Sequence, residues 1–354
     1  MFKVSKLPPK FDFHTTAILT KTIEANRALA ELKGYSDVIP NKNILLNAIT
    51  INEAKKSSEI ENIVTTHDEL YKALSTNKST KEAKEVVNYR SALWRGYELV
   101  KENNFISTNM IVEIQKIIEQ NDAGIRRTPG TVLKNDLTQE VVYTPPANHA
   151  EIIDLMTNLE TYMNSESIDY DTLIQLAVIH YQFETIHPFY DGNGRTGRIL
   201  NILYLVLKDR LDTPILYLSS YINNNKKAYY EGLQQVRDSN NWEQWVLYIL
   251  EGIKVTSYNT LKIMKDISTL IESMIFEVKK QLPNIYSKEL IDVIFYEVYT
   301  KISFVEKGVG VTRKTASSYL VELEKVGFLV SEKIGREKIY LNKKLIDLIK
   351  KARF

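Results

Sequence analysis

A chain of 354 residues, 44% of them apolar and 25% charged, can bury a sizeable core and divide into two or three domains. A formal charge of +2 excludes polyanion binding by bulk electrostatics, and the lack of cysteine excludes disulfides, thiolate metal sites and cysteine nucleophiles. The N-terminus has no apolar signal core, and the longest apolar run, Ile199–Leu207, is too short for a bilayer, so a soluble, cytoplasmic chain without a membrane partner is expected.

Residues 1–13 read as an extended, proline-bearing strap over a neighbouring domain. Apolar residues at helical spacing predict a helix from Thr15 to Lys33, which Gly34 should stop. A second helix is expected over Lys42–Glu61, with Leu45, Leu46, Ile49 and Ala54 as its apolar side. It ends on Ser57-Ser58-Glu59-Ile60-Glu61-Asn62, which by composition alone is a solvated polar terminus. The run STNKST, residues 75–80, reads as a linker, followed by helices over Lys81–Lys101 and Ser107–Glu119, the latter capped by Ser107 or Thr108.

Arg126–Pro146 has a different character. A short apolar run at Thr131-Val132-Leu133, a polar turn at Lys134-Asn135-Asp136 and a second run at Val141-Val142-Tyr143 predict a β-hairpin closed by Pro145-Pro146. Glu151–Asn164 and Asp171–Thr185 read as amphipathic helices, and Ile199–Leu207 opens another. Lys208-Asp209 and Pro214 mark a break. A helix follows within Tyr221–Asn241, then the aromatic-rich stretch Trp242–Ile253, and a long helix over Ile263–Gln281 that ends near Pro283. Beyond it, helices at Ser287–Lys301 and Thr312–Val326 precede two strands, Phe328–Val330 and Lys338–Leu341, around a Gly335-Arg336 turn: the pattern of a winged helix. Residues 287–354 carry 14 Lys/Arg against 9 Asp/Glu, and Arg313, Lys314 and Ser317 open the second helix, where major-groove readers place contacts. DNA is thereby admitted as a partner, and protein equally.

The chemistry concentrates in His187-Pro188-Phe189-Tyr190-Asp191-Gly192-Asn193-Gly194-Arg195-Thr196-Gly197-Arg198, between two helices. Glycines let backbone N–H groups approach a ligand, and a helix N-terminus favours an anion. Arginine suits phosphate oxygens, aspartate is a hard ligand for Mg²⁺, and histidine titrates near neutrality. Every component fits phosphoryl or nucleotidyl transfer. Gly192 to Gly197 also spell G-x-G-x-x-G, but a helix precedes them and no βα alternation follows, so a dinucleotide fold is not expected. A plain helix–helix turn capped by Asp191 and Asn193 explains the glycines and leaves both arginines and the histidine unexplained. The five histidines, His14, His67, His149, His180 and His187, are scattered, and Pro188 separates the last two, so no paired metal site is expected. His180 reads as a core residue or one behind the site.

At every defined position the loop matches His-Pro-Phe-x-(Asp/Glu)-Gly-Asn-Gly-Arg-x-x-Arg, and the chain thereby resembles the Fic family, α-helical enzymes most of which move AMP from ATP to a hydroxyl on a target protein. The resemblance implies an all-α fold with a Fic-type core at 96–280, an N-terminal helical region at 1–95 and the winged-helix module at 281–354. It implies that His187 is the base and that Asp191 helps to hold Mg²⁺ on ATP. Gly192, Asn193, Gly194, Arg195, Thr196, Gly197 and Arg198 would then surround the nucleotide, with the backbone of 192–194, the Asn193 side chain and Arg195 as the anion cradle. Arg195 and Arg198 are expected to push the His187 pKa down. Tyr229 and Tyr230 stand where relatives carry tyrosines near the nucleotide base. Ser57, Glu61 and Asn62 match the inhibitory motif Ser-x-x-x-Glu-(Gly/Asn), whose glutamate pairs with the loop's second arginine, here Arg198, and obstructs the γ-phosphate. The hairpin, with Val141, Val142 and Tyr143, becomes a flap that holds the target by strand addition. Relatives with the same loop remove AMP or transfer phosphate or another nucleotide. A DNA-binding regulator with a nucleotide-sensing core and a non-catalytic scaffold are further readings. The target, self-modification and a homo-oligomeric state stay open.

Overall fold

The computed structural model describes residues 3–38, 42–75, 79–134, 139–296, 298–334 and 337–351. The STNKST linker from Thr76 to Lys78, the hairpin tip at Asn135-Asp136 and the Gly335-Arg336 turn fall outside these residues. The described residues are mostly helical with two small antiparallel sheets, as the sequence implied.

The N-terminal strap lies on the core. Leu7 N donates to Asn158 Oδ1 (2.7 Å), Asn158 Nδ2 returns to Leu7 O (3.1 Å), and Gln182 Nε2 donates to Ser5 O (2.8 Å). Helix α1 spans Thr16–Val38; Gly34 does not stop it, and a Cβ there would meet nothing within 4 Å. Glycine inside an exposed turn lowers helix propensity by about 1 kcal/mol without breaking the ladder. Helix α2 spans Lys42–Ile60 and α3 spans His67–Ser75, a helix hidden at sequence level by the linker beside it. Helices α4 (Lys81–Asn103) and α5 (Thr108–Glu119) pair with each other, the second capped by Ser107 Oγ accepting from Met110 N.

The hairpin comprises β1 (Leu133–Lys134) and β2 (Val141–Tyr143), with Leu133 opposite Tyr143. Helix α6 (His149–Asn164) leads to α7 (Thr172–Ile186) and α8 (Asn193–Leu207), the centre of the molecule. Helix α7 is not amphipathic: every residue from Leu173 to Ile186 is buried, as befits a helix packed on all sides. The loop motif is half helix, because α8 starts six residues before Ile199. Then come α9 (Leu218–Asn224), α10 (Lys226–Ser239) and α11, one continuous 40-residue helix over Trp242–Gln281 that takes in the aromatic-rich stretch and begins 21 residues before the expected Ile263. Helix α1 lies along α11 and joins the N-terminal region to the core.

The last segment runs α12 (Lys288–Tyr296), β3 (Tyr299–Thr300), α13 (Ile302–Val309), α14 (Arg313–Lys325), β4 (Val330–Ile334), β5 (Glu337–Leu341) and α15 (Lys343–Lys351), with sheet order β3-β5-β4. The single helix expected over Ser287–Lys301 is thus a helix and an edge strand, and α13 was not foreseen. Tyr299 and Thr300 pair with Leu341 and Tyr340, a partner 40 residues away that no local pattern announces.

Candidate active site

The loop is built by two backbone reversals. His187 ends α7 in the left-handed conformation (φ 50°), its N–H donating to Phe183 O (3.0 Å). Gly192 (φ 77°) caps α8, and Thr196 N donates to its carbonyl (2.9 Å). A positive φ costs a non-glycine residue roughly 1–2 kcal/mol, so His187 must be held there. Arg126 holds it. Its Nε donates to His187 O (2.8 Å), its Nη2 to Pro146 O and Ile186 O, and its N–H to Pro188 O (2.9 Å). Asn193 closes the remainder: its Oδ1 accepts from Phe189 N (2.8 Å) and its Nδ2 donates to Phe189 O (2.9 Å). The Asn193 amide therefore fastens the loop instead of lining an anion cradle. Asp191 is exposed, with Oδ1 accepting from Gly192 N (2.7 Å). Three first-turn amides, those of Asn193, Gly194 and Arg195, have no partner within α8, as at any helix start.

The two arginines lie on opposite carboxylates. Arg195 Nη1 donates to Glu85 Oε2 (3.0 Å) and Nη2 to Glu119 Oε1 (2.6 Å). Arg198, 2% exposed, donates through Nε to Ser57 Oγ (2.8 Å) and through Nη2 to Ser57 O (2.9 Å) and Glu61 Oε1 (2.8 Å). Burial opposes its charge, and Glu61 with neighbouring groups more than offsets that, so it is held firmly protonated. Glu61 also lies over the first turn of α8, where a Cβ on Gly194 would overlap its Oε1. Asn62 follows with φ 61°, its N–H returning to Glu59 O (3.2 Å). That left-handed residue turns the chain off α2 directly beyond the glutamate, which is a physical reason for Asn or Gly there.

His187 is half-buried, and its Nδ1 has no hydrogen-bond partner among the described residues. Burial first and Arg126 second lower its pKa to about 4; the backbone of Glu184 and the charge of Glu61 oppose, and Arg237 lowers it further. The imidazole is neutral at physiological pH. The cations that act are Arg126 and Arg237, not the expected Arg195 and Arg198, whose charges are taken up by carboxylates. Glu184, one turn earlier on α7, is buried beside Gly197 with Oε1 unpartnered among the described residues, and burial pushes its carboxyl up to about 7.

Tyr229 and Tyr230 separate. Tyr229 is buried, its hydroxyl 3.0 Å from His180 Nε2, while Tyr230 is 51% exposed with its ring edge-on to Tyr229. Tyr229 thus belongs to the core, with His180, which stacks on Trp245 and which burial holds neutral, its pKa lowered to about 3. The hairpin divides likewise. Val141 (54%) and Val142 (46%) are exposed, whereas Tyr143 is buried, donating to Thr185 O (2.8 Å) beneath the Arg237 guanidinium. Tyr143 anchors the hairpin through its side chain.

Sequence reasoning missed Arg126, which sits in an undistinguished Arg-Arg pair; Glu85 and Glu119, which face Arg195 from other helices; and Glu53. The last had a signal. Glu53, Ser57 and Glu61 recur every four residues, one stripe of a helix. Glu53 is fully buried, accepting from Tyr89 OH (3.2 Å), Ser219 N (3.2 Å) and Ser219 Oγ, and burial raises its pKa to about 7. Among the described residues no group of three or more metal-ligating side chains occurs. A lone carboxylate such as Asp191 nevertheless fits Mg²⁺, which usually takes one or two carboxylates and completes its shell with phosphates and water.

Three family profiles match the chain: "Fic/DOC family N-terminal" over residues 19–98, "Fic/DOC family" over 105–205, and "Protein adenylyltransferase SoFic-like, C-terminal domain" over 270–345. Protein adenylyltransferase fic-1 of Caenorhabditis briggsae is 33% identical over 132 residues, 35% of this chain and 24% of that protein. Protein adenylyltransferase Fic of Aedes aegypti is 28% identical over 159 residues, 44% of this chain and 30% of that protein. The aligned segments thus span a quarter to a third of these relatives' lengths. A crystal structure of a Fic family protein from Desulfovibrio desulfuricans superposes with a TM-score of 0.60 at 17% identity, covering 94% of this chain and 98% of that one. With the complete loop motif at 187–198 and two Fic/DOC profiles that together span more than half of the sequence, the chain belongs to the Fic/DOC family.

Proposed function

We propose that this protein is an adenylyltransferase that moves AMP from ATP to a Ser, Thr or Tyr hydroxyl of a protein, itself included, and that α2 holds it inhibited. The observation that carries this reading is a neutral imidazole at the edge of a helix N-terminus whose second arginine is occupied by a carboxylate from another helix. His187 accepts the proton of the acceptor hydroxyl as that oxygen bonds to the α-phosphorus and the bond to pyrophosphate breaks. A positioned base contributes on the order of 10²–10⁴-fold. The amides opening α8 face the phosphates as fixed donors that need no reorganisation as charge develops, and Arg195 would join them on leaving Glu85 and Glu119. Asp191 would hold Mg²⁺ on ATP, which neutralises phosphate charge when bound. Arg198 would take the γ-phosphate once Glu61 leaves it. Val141 and Val142 offer an exposed strand for the target's main chain.

Removal of AMP uses the same loop and is the alternative within the family. Incubation with ATP labelled at the α- or the γ-phosphate, alongside a target already carrying labelled AMP, decides among them. Transfer of the α-label alone supports adenylylation, γ-label transfer indicates kinase-like chemistry, and loss of preloaded label indicates removal. A second reading, DNA contact by the winged-helix module, is favoured by Arg313 and Lys314, both exposed at the start of α14 and paired with no carboxylate among the described residues. Retention on duplex DNA that falls steeply with salt would support it. The absence of retention at low salt would reject it.

A further inference from the structure

Arg126 is 1% exposed and makes four contacts, every one to main-chain carbonyls. Three of those carbonyls are consecutive, Ile186, His187 and Pro188, and the fourth is Pro146 at the foot of the hairpin. Its own carbonyl accepts from His149 Nδ1 (2.8 Å) at the start of α6, and the next two residues are tied to Tyr190, whose hydroxyl accepts from Arg127 N (2.9 Å) and Thr128 N (3.3 Å). A guanidinium buried this deeply is normally matched by a carboxylate. Among the described residues none lies within ion-pair distance. The loop would need only neutral donors to be fastened, and Asn193 shows that an amide serves. A permanent cation at this place therefore asks for a reason beyond fastening.

We propose that Arg126 is a positioning residue for the base: it fixes His187 in its left-handed conformation, couples that conformation to the foot of the flap, and sets a positive charge beside the imidazole. The inference rests on the reading of His187 as base and adds the residue that keeps it one. The other charged groups facing His187 are Glu61 directly after α2, which opposes the effect, Arg237 of α10, which adds to it, and the buried Glu184 of α7. The Arg126 charge is the largest of the charge effects on the ring, second only to burial. Loss of the charge should let His187 protonate at higher pH, and loss of the fork geometry should lower turnover without changing the hold on ATP.

The test uses the full chain in a Glu61→Gly background, with Arg126→Gln and Arg126→Lys. Imidazole NMR titration reads His187 directly, assigned by the signal lost in His187→Gln, and it does not depend on which reaction the protein performs. Expected are a His187 pKa well below the ordinary imidazole value with Arg126 present, a rise of at least about half a unit in Arg126→Gln, and recovery of most of that rise in Arg126→Lys. The acid limb of transfer against pH should move with it. In both variants kcat should fall about tenfold or more while the KM for ATP stays within about twofold, since lysine restores charge but not the fork. A His187 that titrates at an ordinary imidazole value in the unsubstituted chain, or that does not move in a folded Arg126→Gln protein, would overturn the proposal. The unsubstituted chain gives that answer even if the variants fail to fold. Absent transfer with a shifted His187 would count against the adenylylation reading and leave the Arg126 coupling standing.

Discussion

At the scale of single residues, the site is a competition for one guanidinium. Arg198 is buried and needs an anion; Ser57 supplies two neutral acceptors and Glu61 the charge. Glu61 is 37% exposed on its side chain, so releasing it costs far less than breaking a fully buried pair, and an intermediate bias of roughly 1–3 kcal/mol is expected. Glu61→Gly should then raise α-label transfer by about 5- to 150-fold. Arg198→Ala should not mimic it, because in the proposed mechanism the same arginine takes the γ-phosphate, and the double variant should be as poor as Arg198→Ala alone. Unchanged transfer in a folded Glu61→Gly protein would reduce Glu61 to a surface residue. His187→Ala should lower kcat by on the order of 10²-fold or more with ATP affinity retained, as isothermal titration would show. Near-normal turnover in that variant would reassign the base.

At the scale of elements, α2 is held along one stripe, Glu53, Ser57 and Glu61, and clamped at its end by Lys226 of α10, whose Nζ donates to Glu59 O (3.0 Å) and Ile60 O (3.1 Å). Cations at a helix C-terminus add roughly 0.3–1 kcal/mol. Glu53 gives the docking a pH dependence of definite sign. Its docked pKa is about 7 against an ordinary 4.5, so the docked helix retains a proton between those values that a released helix gives up. Docking is thus fully supported below about 4.5 and weakens as pH rises through about 7. Basal transfer should therefore rise from about pH 4.5 to about pH 7 and level off above it, whereas His187, with a pKa of about 4, ionises too low to cause such a rise. Glu53→Gln, which mimics the protonated acid, should flatten the rise and lower basal transfer at alkaline pH. A profile identical to that of the unsubstituted chain would remove Glu53 from the device.

At the scale of the whole molecule, the C-terminal segment rests on α2 and α3. Asn47 Nδ2 of α2 donates to Tyr296 O (2.8 Å), Tyr299 OH donates to Leu74 O of α3 (2.8 Å), and Lys350 and Glu332 meet Asp68 and Lys72. The two ion pairs are exposed and contribute little; the two hydrogen bonds are each worth about 1 kcal/mol. Asn47→Ala combined with Tyr299→Phe should therefore loosen α2 and α3 and raise basal transfer by roughly 3- to 30-fold, with little effect in a Glu61→Gly background. A similar rise in both backgrounds would place the effect elsewhere than in inhibition. No described helix is long and apolar enough to cross a membrane.

What the sequence determined by itself is local: the helical class, the hairpin, and a loop whose residue types declare phosphate chemistry through spacing and side-chain chemistry alone. Even there the helix begins at Asn193, because whether Gly192 turns the chain depends on what Asn193 can bond to. The stripe of Glu53, Ser57 and Glu61 was partly legible through its four-residue period, which marks Glu53 as soon as Ser57 and Glu61 are marked. Tertiary structure decided which groups are buried and which charges face each other. It sent Tyr229 into the core and Tyr230 outward, turned Tyr143 into an anchor, and placed Arg126 on His187 across 61 residues of chain. Burial and long-range electrostatics depend on every element packed around a group, and that sum is written nowhere in the group's own neighbourhood.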